Sequence, residues 1–175
     1  MDKELADVLF YFVPAILAIG AMFLMVKKFL DRDKEIHMMD LRKSMHKEGL
    51  PLKLQAIERM VLFMERISPD NVLPRIHHGG ISAAQLHSNL LVTIRTEFEH
   101  NMSQQVYLSD HAWDAVKDAR DQLTIIFNTA LNEVGAQSPG VHLSSKIFDI
   151  MIKSEHFPHQ EAINELKKEA RKLIG

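Results

Sequence analysis

The chain contains no cysteine, only 7 glycines and 6 prolines, and few aromatic residues. Without cysteine it has no disulfide, no thiolate metal site and no cysteine nucleophile. Turn-forming residues are scarce, and no long segment alternates apolar and polar residues, so β-sheet is disfavoured. The formal net charge of −2 over 175 residues is close to neutral and gives no indication of the basic surface usual in nucleic-acid-binding proteins. The sequence therefore predicts an all-α protein that does not bind nucleic acid.

One long uncharged run, VLFYFVPAILAIGAMFLMV, occupies residues 8–26. At ~1.5 Å per residue, a helix of this length spans roughly 28 Å, about the thickness of a bilayer's hydrocarbon core. A core helix that is apolar on every side would need a much larger protein around it. A signal peptide would begin with basic residues and carry a shorter apolar run. The sequence predicts a transmembrane helix at 8–26 that contacts the lipid bilayer.

The residues that flank this run differ in charge. The leader, residues 1–7, has one basic residue, Lys3, whereas the twenty-one residues after the run contain seven. Because basic flanks stay on the cytoplasmic side, we expect a single-pass protein of the bacterial inner membrane. Its amino terminus would lie outside and its carboxy-terminal domain in the cytoplasm.

Residues 27–50 carry interleaved charges of both signs and predict a helical stalk that continues from the membrane. A heptad pattern is not maintained, because Lys43 falls on the row started by Phe29 and Ile36. The stretch Gly49-Leu50-Pro51 predicts the end of this helix. Residues 51–175 are then expected to form a compact cytoplasmic bundle of about five helices.

Apolar periodicity and capping residues place the helices of the bundle. The first covers 52–67 and stops at Ser68-Pro69, and a loop follows that contains Pro74 and His77-His78-Gly79-Gly80. The next helix is predicted at 83–102 after a Ser82 cap, and a longer one runs from the Ser109 cap to about Val134. Ser144 is predicted to cap a short helix that ends at about Ser154, and Pro158 begins the last helix. On the last helix, Glu165 with Lys168 and Glu169 with Lys172 have ion-pair spacing. Trp113 borders an apolar stripe and is interpreted as packed.

Glu97 and His100 have the Glu-x-x-His spacing found in di-iron helical bundles. Such a site needs a second motif of this kind and two further inward-facing glutamates, and the predicted bundle helices lack them. His77-His78-Gly79-Gly80 could bind metal or phosphate, but it lacks a carboxylate at suitable spacing and is interpreted as an exposed connector. No phosphate loop, zinc motif or nucleophile elbow is found. We therefore predict no catalytic residue, metal or cofactor.

Several polar residues lie on or near the apolar face of the helix at 83–102. They are His87, Glu97 and Asn101. Arg95 flanks this face and His100 points away from it, and the five residues together are the candidate polar or docking cluster. Buried polar groups need partners, so these residues form either an internal network or a face that docks onto another protein. Both interpretations stay open.

Two stretches, residues 54–69 and 97–120, resemble an uncharacterised family of Bacteroidota membrane proteins. The second stretch contains Glu-Phe-Glu-His-Asn-Met-Ser-Gln-Gln, which is close to a motif of that family. The resemblance implies one amino-terminal span, a charged stalk, a helical domain and an inner-membrane location. It implies no activity and no catalytic residue.

Together these features predict a non-enzymatic, membrane-tethered adaptor or accessory subunit that binds other membrane proteins. One alternative is a ligand- or metal-responsive helical module, even an enzyme, that uses the polar residues around Glu97 and His100. Another is a self-associating membrane scaffold, so homo-oligomerisation stays open.

Overall fold

The structure is a computed structural model that describes the backbone of residues 2–175 and the side chains of 16–40 and 47–175. Over this range the chain is helical. Its elements are α1 Asp2–Ile67, α2 Pro69–Ile76, α3 Ala83–Asn101, a 3₁₀ segment Met102–Tyr107, α4 Asp110–Val134, α5 Gly140–Ser154 and α6 Pro158–Ile174. The described residues contain no β-strand, only an isolated antiparallel bridge between Ser82 and Pro139. The predicted all-α class is confirmed.

The chain divides into two compact units, Met1–Gly49 and Leu50–Gly175. The helix end predicted at Gly49-Leu50-Pro51 is wrong, because α1 continues through these residues to Ile67. A proline inside a helix removes one backbone hydrogen bond and crowds the preceding turn. Residues with good helix propensity lie on both sides, including Glu48 before it and Leu52 and Leu54 after it, so the helix tolerates this local cost.

Within the part of the chain that is described, no helix is both long and apolar enough to cross a bilayer. Residues 8–15, the first part of the predicted span, lie outside the residues whose side chains are described.

The core of the second unit is shared by the end of α1 and by all the later α-helices. Helix α4 is the centre of the packing and has its most extensive contacts with α6 and α5. Its inner face carries an apolar stripe at helical spacing, as the sequence predicts. Leu123 and Phe127 from this stripe are fully buried, as are Phe63 from α1 and Leu166 from α6.

The serine caps of α3 and α4 are confirmed. Ser82 accepts a hydrogen bond from the Gln85 amide and forms a capping box with that residue, and Ser109 accepts from the Ala112 amide. Such caps satisfy amides that the first helical turn leaves unpaired. Pro158 occupies the first turn of α6, as predicted.

The start of α5 is different from the prediction at Ser144. The helix begins at Gly140, one turn earlier, and Ser144 Oγ donates to the Gly140 carbonyl instead of capping. The Gly140 amide donates to the Ile81 carbonyl at 2.9 Å, which ties the helix start to the loop before α3. A Cβ at Gly140 would lie 3.1 Å from that same carbonyl oxygen, so this close approach requires glycine.

Helix α2 occupies part of the segment that we predicted as a loop. Pro69 lies at its first turn, where the missing N–H costs little, although Pro74 lies inside it. Val72 and Leu73 are buried in the core. Burial of this short apolar face outweighs the unfavourable propensity of two prolines, which local sequence patterns cannot show.

Candidate functional site

Glu97 joins three helices of the second unit. Its carboxylate on α3 accepts hydrogen bonds from Arg66 Nη1 at 3.2 Å and 3.4 Å, and Arg75 Nη1 lies 4.0 Å away. Arg75 also donates from Nη2 to the Arg66 carbonyl at 2.7 Å. The Glu97 side chain is only 20% exposed. The pair of arginines, at the end of α1 and on α2, therefore holds a half-buried carboxylate against α3.

The other polar residues singled out on α3 do not converge on Glu97. His87 Nε2 lies 2.7 Å from Asn128 Oδ1 on α4, which links these two helices. Arg95 donates to Glu99 at 2.9 Å along α3, and this hydrogen bond raises the pKa of the Arg95 guanidinium. Neither the His87–Asn128 contact nor the Arg95–Glu99 contact includes Glu97.

The last two candidates lie at the end of α3. Asn101 donates to the Glu97 carbonyl at 2.8 Å, which satisfies one of the terminal carbonyls of the helix. His100 is exposed. The Glu97 carboxylate contacts Arg66 and Arg75, so the Glu-x-x-His spacing does not bring a carboxylate and an imidazole to one centre. No local pattern predicts that Arg66 and Arg75, which are 31 and 22 residues away, contact Glu97.

Among the described residues, no group of three or more histidine, aspartate or glutamate side chains could hold a metal ion. His77 lines a shallow groove with Gly80, Ser82 and Gly140. His156 contacts Gln122 through Nε2 and Glu161 through Nδ1. These imidazoles thus lie in separate polar surroundings.

His159 in the first turn of α6 is buried, and its Nδ1 has no hydrogen-bond partner among the described residues. Burial lowers the pKa of His159, because desolvation penalises the imidazolium, while the charges of Asp70 and Glu65 act in the opposite direction. The neutral imidazole is therefore the form that the folded structure favours.

Three aromatic rings and an arginine stack between α1, α3 and α4. The Phe98 ring lies 5.9 Å from Phe63 and 5.4 Å from Trp113, nearly parallel to the latter. The Arg120 guanidinium lies 4.2 Å from the centre of Phe98, a favourable cation–π distance. The prediction that Trp113 is packed is confirmed, and its stacking partner Phe98 comes from the stretch that carries the family resemblance.

A groove of about 500 Å³ lies on the second unit between the beginning of α4, the 3₁₀ segment, the second half of α6 and Lys53 of α1. We call it the basic groove. Its lining combines lysines with polar and apolar side chains: Lys53, Val106, Tyr107, Leu108, Ser109, His111, Glu165, Lys168, Glu169, Lys172 and Leu173.

Both carboxylates of the basic groove have partners within it. Glu165 accepts from Lys168 at 2.6 Å and lies 3.2 Å from His111 Nε2. Chiefly through the Lys168 hydrogen bond, the pKa of Glu165 is lowered, and His111 adds to this effect. Glu169 accepts from the Ser109 amide at 2.9 Å and from the Ser109 hydroxyl. The predicted Glu165–Lys168 pair is confirmed, whereas Glu169 contacts Ser109 in place of Lys172.

The basic groove could not be predicted from the sequence because its residues come from three separate parts of the chain. The one local signal is the spacing of Lys168 and Lys172, which places both on one side of α6. Nothing in the sequence showed that Lys53 and the 3₁₀ segment lie beside them.

Comparison with models of known protein families gives a match over nearly the whole chain. The model of a family described as being of unknown function, DUF7935, matches residues 3–173. No curated protein and no solved structure matches the chain. The match extends over both compact units and assigns no activity and no site residue.

Proposed function

The chain belongs to the DUF7935 family, and we propose that it is a non-enzymatic, membrane-tethered adaptor or accessory subunit of an inner-membrane protein complex. A single helix at 8–26 anchors it, with the amino terminus outside and residues 51–175 in the cytoplasm. The resemblance of residues 54–69 and 97–120 to Bacteroidota membrane proteins supports a bacterial inner membrane.

One observation carries the anchor: the large apolar side chains between Ile16 and Val26 are uncovered. Eight of them are between 47% and 74% exposed. Contiguous apolar surface of this extent is unfavourable in water and marks contact with a membrane or another protein. The uncharged sequence extends back to Val8, so the whole run has the length that a bilayer requires.

The adaptor part of the proposal is supported by the character of the second unit. Its core consists mainly of apolar side chains, and its half-buried carboxylate, Glu97, is bound by arginines. Exposed apolar side chains remain on its surface, among them Val92 on α3 and Ile125 on α4. Such residues are available for contacts with partner proteins.

The anchor is tested with the double variant Leu17→Arg/Gly20→Arg. Each arginine near the middle of a span opposes insertion by about 2.5–3.5 kcal/mol. We expect the wild-type chain to stay in carbonate-washed membranes and the double variant to be lost from them. Met38→Arg/Met39→Arg adds the same charge to exposed residues of the segment 27–50 and should remain membrane-bound. Equal membrane retention of both double variants would contradict the anchor.

Orientation is tested by cysteine labelling, because the natural chain has no cysteine. We expect Asp2→Cys to react with a membrane-impermeant maleimide in intact spheroplasts. Ser103→Cys, at an exposed residue of the 3₁₀ segment, should react only after lysis. The reverse pattern would show that the second unit faces outward.

The adaptor role is tested by determining the mass of the full chain purified in mild detergent. A complex that contains this 20.1 kDa chain and a second polypeptide in constant ratio is the expected result. A homo-oligomer alone would support a self-associating scaffold instead. A bare monomer under every mild condition would contradict both.

A further inference from the structure

We propose that the basic groove binds the headgroup of an anionic phospholipid, with its apolar wall contacting the glycerol and the first acyl carbons. This inference deepens the proposed membrane tethering and rests on it. It assigns a ligand class to a surface of the second unit that is separate in sequence from the anchor at 8–26.

The charge of the groove favours an anion. Lys53 and Lys172 line it and are exposed, and neither forms an ion pair with another residue whose side chain is described. The two carboxylates that also line it have donors of their own in Lys168 and Ser109. Lys168 offsets the charge of Glu165, whereas Ser109 is neutral. Lys53 and Lys172 therefore leave two positive charges against the one negative charge of Glu169, and this excess attracts a phosphate, as lysines near anionic membranes do.

The partial positive charge at the start of α4 is already offset by Glu169 and by Asp110 in the first turn. A 25-residue helix begins at Asp110, and the amino end of a helix carries a partial positive charge. Glu169 already occupies the Ser109 amide and hydroxyl. A bound phosphate is therefore expected at Lys53 and Lys172, beside the Glu169 carboxylate, and not at the Ser109 amide.

The apolar wall distinguishes a lipid from a free anion. Val106 is 77% exposed on the 3₁₀ segment, and Tyr107 beside it is also exposed. Leu108 and Leu173 continue this surface into the groove. Inorganic phosphate has no contact to make with such residues, whereas a phospholipid has apolar atoms next to its phosphate. Tyrosine is also enriched where proteins meet the membrane interface.

The test measures binding of dihexanoyl phosphatidylglycerol, below its micelle concentration, to the full chain in a neutral maltoside detergent. Isothermal titration calorimetry gives the Kd. Dihexanoyl phosphatidylcholine and inorganic phosphate are the two comparison probes. We expect phosphatidylglycerol to bind and the other two to bind much more weakly.

The decisive variant is Lys53→Gln/Lys172→Gln, which should raise the Kd for phosphatidylglycerol about thirtyfold. The matched control is Lys167→Gln/Arg171→Gln, which removes the same charge from exposed residues of α6 outside the groove lining. This control should leave the Kd within about twofold, because neither side chain lines the groove and solvent weakens charge interactions at exposed residues. Val106→Ser should weaken lipid binding and leave any phosphate binding unchanged.

Three results would overturn the proposal. Equal effects of the two double variants would show general charge attraction, and phosphate binding as tight as lipid binding would show a free-anion site. Absence of phosphatidylglycerol binding to the wild type would show that the groove does not bind this class of lipid.

If the decisive variant has a lower Tm than the wild type, the single variant Lys172→Gln replaces it. Carbonate-washed membranes should retain all these variants, so failure here is distinct from failure of the anchor.

Discussion

Replacing Glu97 by glutamine removes one negative charge and keeps the shape of the side chain. In the wild-type chain the carboxylate accepts two hydrogen bonds from Arg66 and lies 4.0 Å from Arg75. Hydrogen bonds to charged groups stabilise proteins by about 1.5–3 kcal/mol. The arginine side chains are 51% and 42% exposed, so solvent screening reduces this to about 1–1.5 kcal/mol for Glu97→Gln.

The assay is thermal unfolding of the full chain followed by fluorescence of Trp113, the only tryptophan. For a unit the size of residues 50–175, the expected loss corresponds to a decrease in Tm of roughly 4–6 °C. The matched control is Glu99→Gln, two residues away on the same helix, whose partner Arg95 is exposed. We expect this control to leave the Tm unchanged, because exposed pairs along one helix contribute little.

A double-mutant cycle with Arg66→Gln isolates the interaction between the two side chains. The coupling free energy should be about 1 kcal/mol, and the cycle with Arg75→Gln should give less because its contact is longer. If Glu97→Gln and Glu99→Gln lower the Tm equally, the reasoning is refuted. A coupling free energy of zero between Glu97 and Arg66 would also show that the carboxylate and this arginine do not stabilise the fold together.

Three further predictions concern the core, pH and a close backbone approach. Phe98→Ala should lower the free energy of unfolding, measured by urea titration, by about 3–4 kcal/mol. Phe157→Ala, at a residue that is 42% exposed, should lower it much less. Comparable losses for the two variants would argue against the aromatic stack. Because its pKa is lowered, His159 contributes stability that is full above about pH 6.5 and declines as the pH falls. His159→Leu should flatten this decline in Tm measurements between pH 7 and 5, and His100→Leu, at an exposed histidine, should not. Gly140→Ala, whose new Cβ would meet Ile81 and His77, should lower the free energy of unfolding by about 1–3 kcal/mol. Gly79→Ala places its Cβ in open space and should have little effect. Similar Tm values for these two variants would count against the close approach.

These tests separate the two levels of the functional proposal. The variants of Glu97, Phe98 and Gly140 report on how the second unit is held together. The arginine substitutions at 17 and 20 report on the anchor, and the lysine substitutions at 53 and 172 report on lipid recognition. Each set therefore changes one property while the others serve as its control.

The sequence by itself determined the features that depend on neighbours three or four residues apart. Apolar periodicity predicts α3 and α4, the hydroxyls of Ser82 and Ser109 form their caps, and Pro158 begins α6. The uncharged run at 8–26 is likewise a local property. Periodicity and capping are set within one or two turns, so no knowledge of tertiary packing is needed to predict them.

Only the tertiary structure decided the features that join distant residues. Helix α2 exists because its apolar face is buried, and α5 starts early because Gly140 bonds to the Ile81 carbonyl. Arg66 and Glu97 are 31 residues apart, and Ser109 and Glu169 are 60 apart. The same holds for the basic groove, since its lysines come from α1 and α6. Contacts of this kind follow from how helices pack, because a single helix pattern shows which face is buried but not which partner covers it.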